Sequence, residues 1–262
     1  MDSAKFISVY KDERDYDFVE DLTKGIVPKE GYNLVPIILA PTTAGTGSEI
    51  TPYSTVWDMD EKKKYSLHLP NLFAELALYD PVLTLSAPKD ITVQTSLDTL
   101  SHALESIWNK NANEITIYFA VRSAKLVIDN IVRLSNNLEN IEYRDMQMKA
   151  CMYAGLSFSN TQTALAHAMS YYITANKSIA HGIACSFTLP MLIDNIIGEY
   201  DFIDQAIIEI FGELSSAPLR MIMSKLNIST NFSDYGIDEH ELIELKRSLV
   251  NNQRAGNSLA HL

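Results

Sequence analysis

The stretch SLDTLSHALES, residues 96–106, decides the reading of this chain. On a helix it places Asp98, His102 and Glu105 on one face, the first two a single turn apart. Two further histidines follow, His167 in ALAHAMSYY (164–172) and His181 in IAHGIAC (179–185). Taken singly, each is explained as a satisfied core histidine, and an acid four positions before a histidine as a helix-face hydrogen bond. Together, one carboxylate and three imidazoles form a mixed hard and borderline donor set of the kind that closes on one divalent cation. Asp98, His102, His167 and His181 are therefore the candidate metal ligands.

Working outward, the chain after Pro88 carries apolar residues at three and four spacing, as at Ile115, Phe119, Leu126 and Val127. Helices are expected over 91–108, 113–134, 143–158, 162–174, 181–197 and 201–212, with weaker ones towards the end. Upstream the texture differs. LVPIILA (34–40) is an apolar run of strand length and leads into the Gly/Thr turn PTTAGTGSE (41–49). TVWDMD and ELALYD then flank a lysine-rich turn. This is α/β texture, and a boundary near residue 85 separates it from the helical remainder, giving segments 1–85 and 86–262.

Composition limits the function classes. The 262 residues are 47% hydrophobic and 21% charged, which suits a folded protein rather than a disordered one. A formal net charge of -12 argues against nucleic acid as a partner, and the basic run Lys62 to Lys64 is too short to compensate. The two cysteines, Cys151 and Cys185, have no paired spacing and suit a reducing compartment. No apolar run reaches bilayer-spanning length, and the opening MDSAKFISVYKDERD lacks the order of a secretory signal. A cytoplasmic protein without membrane partners is expected.

PTTAGTGSEIT (41–51), YDPVLT (79–84), the Asp98 and His102 pair with Ala103 and Glu105, then His167 and His181 with Gly182, resemble the iron-containing alcohol dehydrogenase family in order and separation. The resemblance covers nearly the whole chain. It implies an α/β remnant of a dinucleotide-binding domain over 1–85, followed by an all-α metal-binding catalytic domain over 86–262, a truncated form of the dehydroquinate synthase-like fold. It also implies Fe²⁺, or Zn²⁺, on Asp98, His102, His167 and His181. Members carry a glycine motif of the form GGGSxxDxAK, of which only the tail matches here, at Asp2 to Lys5. The chain is thus expected to begin inside its cofactor domain.

For NAD(P)H, Thr42, Thr43 and Thr46 offer hydroxyl and backbone donors of the type that hold ribose and phosphate, with a threonine-capped turn as the plainer alternative. Gly45 and Gly47 permit close backbone approach there. By resemblance, Lys64 and Leu83 also meet the cofactor, and Asp2 is the surviving acid of the glycine motif. The implied reaction is hydride transfer between NAD(P)H and a small aldehyde or primary alcohol beside a Lewis acid, in a homo-oligomer.

Many relatives carry a second histidine four residues after His167, where this chain has Tyr171, a candidate proton relay. ALAHAMSYY, HGIACSFTLP and NNQRAGNSL are similar to the branch that reduces phosphonoacetaldehyde to 2-hydroxyethylphosphonate, and Lys177 is then the candidate contact for the phosphonate. Two other readings stand beside this one. One is a catalytically silent metal-binding or oligomerisation module of the same family; the other, a non-redox metal lyase, is disfavoured by the ligand set.

Overall fold

The computed structural model describes residues 1–10, 34–58 and 63–262. They divide into two units, Met1–Pro41 with Ser48–Asp80 and Thr42–Gly47 with Pro81–Leu262. In the first, helix α1 (Asp2–Tyr10) packs on strand β2 (Tyr53–Asp58), which pairs antiparallel with β3 (Lys63–His68) in the register Tyr53 to His68 through Asp58 to Lys63. β1 (Ile38–Leu39) pairs in parallel with β4 (Leu76–Ala77). The apolar run at 34–40 therefore yields a strand of only two residues. Pro36 and Pro41 lack the N–H that a ladder needs, so regular pairing is confined between them. Phe6, Val9, Leu67, Leu69 and Leu72 form the small core of this unit.

One face of α1 is polar and buried. Lys5 has no solvent exposure, and its ammonium donates to the carbonyls of Ser48 at 2.5 Å, Thr51 at 2.5 Å and Tyr53 at 3.0 Å. Burial pulls its pKa down to about 8, against the opposing pull of Asp2 and Glu49. The Asp2 carboxylate accepts from the Ser48 hydroxyl and, at 3.0 Å, from the Thr55 N–H. The first turn of α1 thus ties down the chain on both sides of residue 50, where turn backbone would otherwise be left unpaired.

The second unit is helical: α2 (Lys89–Ile107), α3 (Glu114–Asn136), α4 (Ile141–Thr161), α5 (Leu165–Lys177), α6 (His181–Ser186), α7 (Leu189–Ile196), α8 (Asp201–Phe211), α9 (Ala217–Lys225) and α10 (Glu239–Leu249). Asn113 with Thr116, and Asp238 with Glu241, close reciprocal capping boxes that start α3 and α10. The helix expected over 181–197 is two. Pro190 sits in the first turn of α7, where its missing N–H costs nothing, and the chain re-starts there after Ser186.

Helix α2 is the axis of this unit, packed by α3, α4 and α6, with Leu97, Leu100, Ala103, Leu104 and Ile107 fully buried. Its buried hydroxyls bond back along the helix, Ser96 to Thr92, Ser101 to Leu97 and Ser106 to His102. With those hydroxyls satisfied, the remaining buried polar groups of its central turns are Asp98, His102 and Glu105, together with Thr99, which bonds the Ala44 carbonyl. Among the described residues, no helix is long and apolar enough to cross a membrane.

Candidate metal centre

The Asp98 carboxylate is the hub of the site. Its Oδ1 lies 3.3 Å from His167 Nε2, 3.8 Å from His181 Nε2, 3.9 Å from His102 Nε2 and 3.6 Å from Cys185 Sγ. Donor atoms around a cation with bonds of about 2.0–2.3 Å stand roughly 3.3–3.8 Å apart in a tetrahedral arrangement, so the His167, His181 and Cys185 distances match a coordination shell, with His102 just beyond it. The His102 ring stacks on His167 at 4.4 Å on one face and on Phe158 at 4.1 Å on the other. His181 is the open member, its side chain 29% exposed against 7% or less for the other three predicted ligands, so the centre faces solvent on that side.

His167 and His181 are each aimed by what the other ring nitrogen does. His167 Nδ1 meets Glu105 Oε2 at 2.5 Å. The other oxygen of Glu105 accepts the backbone N–H groups of Ala166 at 2.5 Å and His167 at 3.3 Å. Those are unpaired donors in the first turn of α5, whose N-cap residue, Ala164, has no capping side chain. One carboxylate from α2 therefore caps α5 and orients the ligand that α5 carries. The Ser170 hydroxyl donates to the His167 carbonyl at 2.7 Å, which leaves it to accept from His181 Nδ1 at 3.3 Å. Both outer nitrogens then act as donors, and both Nε2 lone pairs face Asp98.

A cation suits this arrangement on the evidence of one atom. His167 Nε2 is buried and has no hydrogen bond of proper geometry, a costly state for a ring nitrogen unless something electron-poor meets it. Burial works against charge on Asp98, but His102, His167 and His181 hold its carboxyl well below the usual range. Burial likewise works against charge on His167, yet Glu105 and Asp98 raise it to about 9. A metal ion held by Asp98 and these imidazoles would take the place of a proton on His167 Nε2.

Gly182 makes the geometry possible. A Cβ there would stand 1.9 Å from the Gln94 carbonyl oxygen and 2.7 Å from its carbon, so the start of α6 lies directly on the backbone of α2. That contact brings His181 and Cys185, one turn apart on α6, over Asp98.

The other expected residues fall as follows. Tyr171, on α5, lies parallel to the His181 ring at 6.1 Å, and the Arg254 guanidinium sits 5.5 Å from the Tyr171 ring centre. Lys177 closes α5 with its ammonium on Glu241 at 2.5 Å and the Gly236 carbonyl at 2.6 Å, a bridge to the start of α10. Thr42 and Thr46 are exposed on their turn. Thr43 lines a small cavity with Thr84, Thr95, Arg144 and Gln147. Leu83 is 39% exposed in the short 3-10 turn Pro81–Thr84. Asp2 has its carboxylate engaged by Ser48 and Thr55. Lys64 lies on β3 opposite Trp57, with its side chain outside the described residues.

Gly45 and Gly47 serve a purpose that the turn sequence did not announce. A Cβ on Gly45 would meet Thr95 Cβ at 2.7 Å, and Gly47, at φ +57°, would meet Phe158 at 3.1 Å. Their bare backbones let the turn lie on α2 and α4, where Thr99 and Gln147 both donate to the Ala44 carbonyl.

Two residues at the centre were not among the expected ligands and supports, Glu105 as the orienting acid and Cys185 as a near donor. Glu105 already shared the ligand face of α2, and Cys185 repeats from His181 the four-residue step that separates Asp98 from His102.

Two family models match. "Fe-containing alcohol dehydrogenase family, C-terminal" covers residues 92–258, and "Iron-containing alcohol dehydrogenase" covers residues 1–81. Sulfoacetaldehyde reductase of Bilophila wadsworthia is 31% identical over 254 residues, 87% of this chain and 65% of that protein. NAD-dependent methanol dehydrogenase of Bacillus methanolicus is 29% identical over 80% of this chain and 58% of its own length. The crystal structure of sulfoacetaldehyde reductase from Bifidobacterium kashiwanohense in complex with NAD+ superimposes with a TM-score of 0.90 at 28% identity, over 98% of this chain and 68% of that one. The chain thus spans less than two thirds of the length of these two curated relatives.

Proposed function

This chain belongs to the iron-containing alcohol dehydrogenase family, and we propose from that premise that it transfers hydride between a nicotinamide cofactor and a small aldehyde or primary alcohol. The observation that carries the reading is the convergence of three imidazole nitrogens on one oxygen of Asp98. Asp98, His102, His167 and His181 would hold Fe²⁺ or Zn²⁺, which supplies Lewis-acid polarisation of a carbonyl while NAD(P)H supplies hydride. Glu105 and Ser170 keep the His167 and His181 lone pairs inward. The partly exposed side of His181 is where substrate enters. Tyr171, stacked there, passes the proton that the alcohol product needs. Thr42, Thr43, Thr46, Lys64 and Leu83 contact the cofactor, whereas Asp2 acts indirectly through the backbone it holds.

The test is aldehyde-dependent loss of NADH or NADPH absorbance by the purified chain, with metal removed by EDTA and then restored with Fe²⁺ or Zn²⁺. Turnover that returns with the metal is the expected result. Metal binding with no cofactor binding and no turnover would make the chain a silent metal-binding module instead.

The finer reading is an aldehyde bearing a tetrahedral anion one carbon away, phosphonoacetaldehyde or the sulfoacetaldehyde named in the two reductases above. Lys177 is committed to Glu241 and Gly236, so the cation proposed to meet that anion is Arg254, whose guanidinium sits 5.5 Å from the Tyr171 ring centre and is steadied by a 3.0 Å bond to the Thr163 hydroxyl. A guanidinium presents paired donors to two oxygens of such a group. Arg254→Met is expected to raise KM for sulfo- or phosphonoacetaldehyde roughly 10–100-fold, the loss of one or two charge-assisted hydrogen bonds, with KM for propanal little changed. Parallel rises for charged and neutral aldehydes would remove Arg254 from substrate recognition.

A further inference from the structure

Among the described residues, the donor set whose members all lie within 4.8 Å of one another is Asp98, His167, His181 and Cys185, with the thiol in the company that the ligand spacing of the sequence reserved for His102. We propose that Cys185 is itself a donor to the cation of this centre, its Sγ joining Asp98, His167 and His181, so that the site favours thiophilic ions such as Zn²⁺ and Co²⁺ over one built from oxygen and nitrogen alone. The inference rests on the metal centre proposed above and concerns which atoms complete it.

Two independent observations carry it. The first is position: Cys185 is fully buried, its Sγ is 3.6 Å from the hub oxygen of Asp98, and α6 presents it from the same face as His181. The Gly182 contact with Gln94 fixes that face against α2 and leaves α6 little freedom to withdraw it. The second is His167 Nε2, a buried nitrogen without a hydrogen bond, which belongs to the same mutually close set. The thiol lies 3.5 Å from the Gly182 carbonyl and 3.6 Å from the Asp98 carboxylate, and beside it stand two imidazoles whose outer nitrogens are already engaged. Soft sulfur beside borderline nitrogen selects Zn²⁺ and its spectroscopic substitute Co²⁺. On binding, the thiol proton passes to solvent and sulfur contributes an electron pair, with no change of oxidation state.

The experiment uses the full chain, stripped by chelator and loaded with one equivalent of Co²⁺, and reads its absorption spectrum. The expected result is a set of visible ligand-field bands together with a near-ultraviolet sulfur-to-cobalt charge-transfer band. Cys185→Ser should abolish the near-ultraviolet band and keep the visible ones. Cys151→Ser, which alters the other cysteine, should keep both, and so assigns the band even if the Cys185 variant fails to fold. Visible bands without the charge-transfer band in the unaltered chain overturn the role of Cys185 while the Asp98 and histidine centre stands. A charge-transfer band lost in Cys151→Ser and kept in Cys185→Ser also overturns it. No Co²⁺ spectrum at all removes the centre and this inference together.

Discussion

Glu105→Gln is expected to weaken metal binding about 10–100-fold while leaving a folded helical protein, an effect of the size seen when the partner of a ligating histidine is changed. The reasoning is in the tautomer. Glu105 receives the Nδ1 proton of His167, so Nε2 keeps its lone pair towards Asp98. A glutamine can still accept the Ala166 and His167 amides through its carbonyl oxygen, which preserves the cap on α5. Its NH₂ must then face Nδ1 as a donor. The imidazole proton is driven to Nε2, where it points at the hub and competes with the cation. Calorimetric titration with Zn²⁺ or Co²⁺ measures the loss, and circular dichroism checks that the fold persists. Glu105→Leu should do both kinds of damage, because two first-turn amides of α5 lose their acceptor and His167 loses its partner. For a broken buried charge pair the cost is about 3–5 kcal/mol, read as a shift in the denaturant midpoint. Wild-type affinity in Glu105→Gln would mean that this acid only caps the helix.

Why the sequence showed Asp98 and His102 more readily than Glu105 or Cys185 is a matter of which distances are local. Positions 98, 102 and 105 share a face because a helix repeats every 3.6 residues, and that follows from the chain alone. Glu105 becomes an orienting acid only because the first turn of α5, some sixty residues on, abuts α2. No periodicity reports such a contact. Cys185 is similar: its apolar surroundings in sequence read as core, and only the packing of α6 on α2 sets it beside a carboxylate. The helical texture after Pro88 was legible throughout, yet the single helix expected at 181–197 breaks between Ser186 and Leu189, just ahead of Pro190, whose place in the first turn of a new helix is as ordinary as a kink would be. In the first unit, the apolar run at 34–40 overstated its strand because Pro36 and Pro41 limit the ladder from both ends. Gly45 and Gly47 were legible as sites of close approach, but what approaches is the protein's own α2 and α4.

Gly182→Ala should have the largest effect of any single methyl added to this chain, and the contrast with Gly198 explains why. Gly198, at φ +86°, has nothing within 4 Å of a built Cβ, so alanine there costs only the left-handed backbone, about 1–2 kcal/mol, with no bearing on the metal. At Gly182 the obstacle is the Gln94 carbonyl, 1.9 Å from the new carbon. Non-bonded atoms settle at about 3.5 Å, so α6 and α2 must part by well over an ångström. The obstacle is main chain inside α2, and no rotamer change at Gln94 can relieve it. Relief must come from α6, six residues long and carrying His181 and Cys185. Its displacement takes both from Asp98, while the larger helices, packed through α2, α3 and α4, stay in place. The expected result is a protein that folds with a loss of about 1–3 kcal/mol, as for overpacking, but whose metal affinity falls by about 100-fold or more, because two of the groups around Asp98 move away together. Thermal melts and metal titration on Gly182→Ala and Gly198→Ala together make the comparison. Equal metal affinity in the two variants would show that α6 can shift without disturbing the ligands, and would loosen the claim that its contact with Gln94 sets the centre.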